Sequence, residues 1–262
     1  MKSSAADIYE IAMGRWSRRL ARAFLAFVEA PAQGALLDVG CGTGSLTLAA
    51  ATRYPDANIL GIDLLSDYLH EALMHSAPNA RFETADATAL PYADHSFEAA
   101  FSQLVLNDLE DSRKAVDEMV RVTRPGGVIA ATVWDRAGGL GFLRLFLDAT
   151  AVFLDQPGED LRARIFDVPH KNEDDLIDLW ADAGLKDVNS ATISIRMDFL
   201  DFGDYWDSLM GAHSLIPKFI GELDIDTTRQ LEATVRRAYQ GGAADGRRSL
   251  VASALAVRGI IA

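Results

Sequence analysis

The sequence predicts an α/β protein built on a mostly parallel sheet with helices on both faces, and three observations lead there. Between residues 35 and 133, short apolar runs alternate five times with helix-like segments, a rhythm that joins parallel strands by right-handed crossovers. The chain has 262 residues, 49% hydrophobic and 24% charged, a composition that supports a packed core and excludes disordered and collagen-like classes. Glycine, proline and aspartate punctuate the ends of the apolar runs, as strand-to-helix turns require.

Taken in order, the first thirty residues read as two short helices broken near Gly14, the second carrying Leu20, Phe24, Phe27 and Val28 at helical spacing. Arg22 interrupts this apolar stretch and Glu29 closes it, which marks an amphipathic helix and not a signal peptide. Residues 35–39 form a strand that runs into glycines, and 45–53 a helix. Residues 58–62 form a second strand, followed by an aspartate and a helix containing Leu69, Leu73 and Met74. Residues 80–85 and 97–102 make two further strands. The helix over 112–122 is stopped by Pro125, Gly126 and Gly127, and 128–133 is a β-branched fifth strand.

Beyond Trp134 the rhythm changes. Residues 140–154 read as a long apolar helix, Gln156, Pro157 and Gly158 as a polar connection, 174–183 as a helix ended by Gly184, and 188–197 as an alternating strand. Helical text rich in Trp206, Leu209, Met210, Phe219 and Tyr239 fills 199–240, and 249–257 pairs most simply with 188–197. The intervening residues are therefore expected to be a helical insertion between neighbouring strands.

With 25 Lys and Arg against 38 Asp and Glu, the net charge is −13, and the basic residues gather in no long patch. Phosphate-tracking proteins draw affinity from cations, so no nucleic-acid partner is expected. The single cysteine, Cys41, makes no intramolecular disulfide, which suits a reducing, cytoplasmic setting. No apolar run reaches the roughly 18 to 20 residues that span a bilayer, so no membrane partner is expected.

The chemistry concentrates where the first strand meets its helix. Gly40, Gly42 and Gly44 follow the run Leu36-Leu37-Asp38-Val39, at the place where open α/β sheets bind ligands. The third glycine of a dinucleotide fingerprint falls on Ser45 instead, and Asp38 precedes the turn. A carboxylate there repels a pyrophosphate and leaves a cation welcome.

Four blocks in order, LDVGCGTG at 36–43 with Gly44, GIDLLSDYLHEA at 61–72, ADATALPYADHSFE at 85–98 and RVTRPGGVIAATVWD at 121–135, resemble the class I S-adenosylmethionine-dependent methyltransferases. The resemblance is to their ubiquinone and menaquinone C-methyltransferase-like small-molecule branch, and it covers about residues 7–135. It implies a Rossmann-like seven-stranded sheet, mostly parallel with an antiparallel last strand, and helical lid insertions. It further implies S-adenosyl-L-methionine as cofactor, with S-adenosyl-L-homocysteine as product.

Carried over residue by residue, the resemblance places Asp38, Gly40, Gly42 and Gly44 against the methionine and ribose portions, with Cys41 and Thr43 contributing backbone. Asp63, nineteen residues after Gly44, would accept from the ribose hydroxyls, and Leu64 and Leu65 would cover adenine. Asp86 would take the adenine amine beside the backbone of Ala87. Ser102 and Gln103 would flank the methionine part, and Tyr9, Arg15 and Trp16 belong to an N-terminal lid in which Arg15 would pair with the methionine carboxylate. On this reading Cys41 is a small apolar filler, since no basic partner lies near it.

The implied organisation is one domain over 1–262, with a helical lid at 1–30, a cofactor core at 31–135, and substrate-cap insertions at 136–170 and 199–246. Methyl transfer from a sulfonium needs positioning more than acid or base, and no residue stands out as catalytic. His213, Asp108 and Asp135 are candidate bases, with Asn107 and Asp108 alternatively capping the next helix. The five histidines lack zinc-ligand spacing and no metal is expected. Phe142, Leu145, Phe146, Phe153, Trp206, Met210 and Phe219 are expected to wall an acceptor pocket for a small apolar or aromatic molecule. A nicotinamide-dependent oxidoreductase, a noncatalytic S-adenosylmethionine-binding protein and an RNA or protein methyltransferase are the alternatives. The chain is expected to act as a monomer or homodimer.

Overall fold

The computed structural model describes residues 8–75, 77–211 and 215–262. Its sheet has seven strands: β1 (Gln33–Val39), β2 (Asp56–Asp63), β3 (Ala80–Thr84), β4 (Phe97–Gln103), β5 (Thr123–Trp134), β6 (Lys186–Phe199) and β7 (Arg248–Ile260). The order is β3-β2-β1-β4-β5-β7-β6. β1 pairs in parallel with both β2 and β4, so the winding reverses there, and the crevice beyond the carboxyl ends of β1 and β4 is the topological place for a ligand. β5 pairs antiparallel with β7, from Val128↔Ile260 to Trp134↔Ala254.

The chain divides into two compact units. One comprises residues 16–134, 169–193 and 254–262, and the other residues up to 15, 135–168 and 194–253; the division falls within β6 and within β7. In the first unit the strands bury both faces, and β1 shows why. Its side chains alternate, Leu37 and Val39 packing with Ile62, Met119, Val122 and Trp180, while Leu36 packs with Phe24, Leu25, Leu46 and Ala50. The first layer is covered by α4 (Ser112–Val122) and α7 (Glu173–Asp182), the second by α1 (Arg15–Val28) and α2 (Ser45–Arg53). α3 (Ser66–Met74) follows β2. α1 buries Trp16, Leu20, Phe24 and Val28, a stripe with four-residue steps.

The expected break at Gly14 is instead a π turn, Glu10–Gly14, that runs directly into α1. Gly14 lies beneath the Glu10 side chain, which a Cβ there would displace.

The second unit holds α5 (Gly141–Leu154), α6 (Gln156–Phe166), α8 (Phe202–Leu209), α9 (Leu215–Gly221) and α10 (Ile225–Gln240). The expected polar connection at Gln156, Pro157 and Gly158 is the start of α6. Proline is tolerated in the first turn, and Gly158 lies so close to α5 that a Cβ would sit 2.6 Å from the Ala151 Cα. Asp155, at φ +51°, makes the corner between the two helices. Asp201 and Asp224 cap α8 and α10, and Gly241 closes α10 in the left-handed conformation. An aromatic cluster of Phe199, Phe202, Tyr205 and Tyr239 fills the interior, with the Tyr205 hydroxyl donating to the Phe142 carbonyl at 2.7 Å.

Trp180 joins α7 to the sheet: it is fully buried, donates Nε1–H to the Ile129 carbonyl at 3.2 Å, and lies against Gly259 of β7. Trp180→Ala leaves a cavity and removes the indole hydrogen bond to the sheet, and is expected to lower stability by about 3 to 5 kcal/mol in urea denaturation.

Candidate functional site

The glycine turn is held by β2. The Gly40 and Cys41 amides both donate to the Ile62 carbonyl at 2.8 Å, and the Gly44 amide donates to the Cys41 carbonyl at 2.9 Å. Gly40 and Gly44 have φ of +76° and +85°; a Cβ on Gly40 would come within 2.5 Å of Val105 Cγ2, and one on Gly44 within 3.0 Å of the Phe82 ring. Both conformation and space therefore demand glycine. Asp63 completes the arrangement, Oδ2 accepting from the Gly42 amide and Oδ1 from the Leu65 amide, each at 2.9 Å.

Asp38 is 1% exposed, an unusual place for a carboxylate. Its Oδ2 accepts from the Thr47 hydroxyl at 2.6 Å, while Oδ1 is buried with no partner. Burial raises its pKa from 3.8 to about 7, against the Thr47 hydrogen bonds that lower it, and the Asp63 charge adds to the rise.

On the neighbouring strand Gln103 shows the same asymmetry. Its Nε2 donates to the Ser17 carbonyl at 3.1 Å; that carbonyl only accepts, so the amide orientation is determined and Oε1 is the buried oxygen left without a donor. Ser102 donates to the Val39 carbonyl at 3.1 Å and ties the ends of β4 and β1 together. The carboxyl ends of two adjacent strands thus hold two buried acceptors that lack donors. Each is an acceptor that a ligand bearing N–H donors would satisfy.

Around this centre lie Leu64 and Leu65, exposed by 66% and 47%. Asp86 follows β3, whose end is tied to β2 by the Ala85 amide donating to the Asp63 carbonyl. Asp86 is exposed and caps its own turn, Oδ1 accepting from the Thr88 amide and hydroxyl at 2.8 Å, bonds that lower its pKa. Ala87 is half-buried. Cys41 and Thr43 are buried within the turn. Burial and the Asp38 and Asp63 charges push the Cys41 thiol pKa far upward, so it remains a protonated, unreactive group.

Trp16 is buried in α1 with the Arg19 guanidinium over its ring. Tyr9 and Arg15 fall in the helical unit. There Arg15 is engaged by Asp204, with Nη2 to Oδ1 at 2.7 Å and Nη1 to Oδ2 at 3.1 Å, and it donates to Ser208 Oγ at 2.7 Å. Tyr9 is half-buried.

Among the candidate bases, His213 lies outside the described residues. Asp108 is exposed, and the expected cap of the next helix is Asp111, whose Oδ1 accepts from the Lys114 amide at 2.9 Å; Asn107 instead donates to the Pro169 carbonyl. Asp135 accepts from the Gly138 amide at 3.1 Å. Of the expected acceptor wall, Phe142 and Phe146 belong to the core at 5% and 0% exposure, whereas Leu145, Phe153, Trp206, Met210 and Phe219 are half-buried. Among the described residues no group of three or more His, Cys, Asp and Glu could hold a metal, and no helix is long and apolar enough to cross a membrane.

Two features carried no signal in the sequence. Thr47 reads as an ordinary helix residue until the fold brings it to Asp38. His170, half-buried with its pKa lowered by burial, pairs its Nε2 with the Ser112 hydroxyl at 2.7 Å across a separation of 58 residues.

Comparison with known proteins shows what the chain is similar to. Residues 37–131 match the methyltransferase domain model. The O-methyltransferase cnsE of Penicillium expansum is 35% identical over 176 residues, covering 63% of this chain and 58% of that protein. A demethylmenaquinone methyltransferase of Roseiflexus castenholzii is 36% identical over 109 residues, 41% of this chain and 46% of that one. The alignments with the first-ranked curated relatives span 39% to 58% of those proteins. The solved structure of Haemonchus contortus phosphoethanolamine N-methyltransferase 2 in complex with S-adenosyl-L-methionine shares the fold, with a TM-score of 0.58 at 17% identity over 99% of this chain and 60% of that one.

The buried carboxyl makes a pH prediction. A raised folded pKa contributes stability that is full at low pH and is lost as pH rises, here between about 4 and 7, at roughly 1.4 kcal/mol per pH unit. Asp38→Asn is expected to flatten that part of the stability profile and to be more stable than wild type above pH 7, as read by urea denaturation at stepped pH.

Proposed function

We propose that this chain, which carries a class I S-adenosylmethionine-dependent methyltransferase domain, transfers a methyl group from S-adenosyl-L-methionine to a small apolar or aromatic acceptor. The observation that carries the cofactor assignment is the pair of buried acceptors without donors, Asp38 Oδ1 and Gln103 Oε1, beside a glycine turn that Cβ atoms would obstruct. When bound, the cofactor supplies a methyl group activated on a sulfonium.

The residues of the chain bind and orient. Asp38 and Gln103 take the ammonium of the methionine moiety, and the glycine turn admits the backbone of that moiety. Asp63 has one amide on each carboxylate oxygen and a lone pair left on each for the ribose hydroxyls. Leu64 and Leu65 cover adenine, and Asp86 with Ala87 reads its edge. Arg15, held by Asp204, serves the helical unit instead of the methionine carboxylate in this conformation. The residues that select the acceptor belong to the helical unit, with Leu145, Phe153, Trp206, Met210 and Phe219 as its partly exposed apolar groups.

In-line displacement converts a sulfonium to a neutral thioether, and orientation with exclusion of water supplies most of the acceleration. A base is needed only where the acceptor carries a proton. The net charge of −13 argues for a small-molecule acceptor over RNA.

Titration calorimetry with S-adenosylhomocysteine and NAD in parallel tests the reading. S-adenosylhomocysteine is expected to bind, with Asp38→Ala weakening it at least tenfold, about the worth of one charge-assisted hydrogen bond. Binding of NAD alone would overturn it. Labelled-methyl transfer across a panel of phenols, quinones and apolar carboxylates then ranks acceptors.

A further inference from the structure

Asp38 of β1 sits in register with Gly61 of β2, and Thr47 of α2 reaches the same spot from the helix that follows the glycine turn. A threonine inside a helix usually returns its hydroxyl to a carbonyl one turn back. Thr47, fully buried, instead donates to Asp38 Oδ2 at 2.6 Å. Gly61 makes this possible: a Cβ there would lie 2.5 Å from Thr47 Oγ1 and 3.0 Å from Cys41 Sγ. The three residues form one packing unit, in which the absence of a side chain on β2 leaves room for a hydroxyl that restrains a carboxylate on β1.

We infer that Thr47 is a positioning residue, its hydroxyl anchoring one oxygen of Asp38 so that the other, Oδ1, is presented to the ammonium of the cofactor. The inference rests on the cofactor reading above. A carboxylate with both oxygens loose would rotate between orientations; with Oδ2 restrained, the buried Oδ1 waits in a single place.

A second consequence concerns protons. The ionisable groups facing Asp38 are Asp63 of β2, whose charge opposes its ionisation, and Cys41, which burial keeps neutral. Before the cofactor arrives Asp38 is part-protonated near neutral pH. The ammonium requires the ionised form, so binding releases a proton to solvent and strengthens as pH rises through about 7. The Thr47 bond favours the ionised form, so its loss moves that inflection to higher pH.

The test is calorimetry of S-adenosylhomocysteine from pH 6 to 9, in two buffers of different ionisation enthalpy to count protons. Wild type is expected to release a fraction of a proton and to bind more weakly below pH 7. Thr47→Val is expected to weaken binding about tenfold at pH 7 and to shift the inflection upward. Thr47→Ser, which keeps the hydroxyl, restores most of the affinity and the wild-type inflection. Gly61→Ala, which displaces the hydroxyl with Thr47 still present, reproduces the loss and stands in for Thr47→Val if that variant fails to fold. Wild-type affinity and inflection in Thr47→Val or Gly61→Ala, or no rescue by serine, would overturn the role of Thr47 while leaving the cofactor reading intact. Failure of wild type itself to bind S-adenosylhomocysteine overturns that reading and the inference with it.

Discussion

One carbonyl, that of Ile62, accepts two amide hydrogens from consecutive residues, Gly40 and Cys41, and the shape of the crevice depends on that pair of hydrogen bonds. It obliges the chain leaving β1 to fold back over the end of β2, which requires the left-handed φ of the glycines and forbids side chains where Val105 and Phe82 already stand. Asp63, the next residue after Ile62, fixes the far side of the same turn through the Gly42 amide. The start of α2 is thereby placed, and with it Thr47. The geometry of the whole carboxyl edge follows from β1 and β2 being parallel neighbours in a single register.

Against that rigid frame stands an energetic conflict. Burying Asp38 at 1% exposure is unfavourable for its charged form, and a sheet designed only for stability would place an aliphatic residue there, as at Leu36 and Leu37. Gln103 adds a second buried oxygen without a donor, and each such group costs roughly 1 to 3 kcal/mol. Leu104, immediately after it, holds a φ of +65°, a further local strain in a residue that disfavours it. Unsatisfied polar atoms and strain coincide at the carboxyl ends of β1 and β4. Folding tolerates the cost, and on the reading proposed above a cationic ligand with several donors relieves part of it.

Much of this was legible in the sequence because the relevant signals are local. Alternation of apolar runs and helix patterns located β1 to β5, and the glycines with Asp38 and Asp63 marked the crevice, since turn geometry is written in residues a few positions apart. Strand ends were less visible: β7 reaches Ile260 because its pairing with β5 extends it, which no local pattern encodes. α6 was hidden because Gln156-Pro157-Gly158 reads as a turn until the contact between Gly158 and Ala151 makes it a helix start. Thr47 and His170 were illegible for the same reason, each acquiring its meaning from a partner that only the fold supplies. Phe142 and Phe146, expected to wall a pocket, are buried, and Phe146 packs edge-on to Trp206.

The fate of the acidic candidates bears on the chemistry. Asp135 is occupied by a turn amide and Asp111 by a helix cap, while Asp86 accepts twice from Thr88. The Thr88 bonds lower the pKa of Asp86 and make it a correspondingly weak base, while Asp111 and Asp135 are committed to cap and turn geometry. Asp38, whose pKa burial raises to about 7, lies buried near the end of β1, and on the proposed reading its proton exchanges with the charge of a bound cation. On the reading proposed above, the arrangement directs its electrostatics to a cationic cofactor and leaves the methyl transfer to alignment, which is the economy that an intrinsically reactive sulfonium permits.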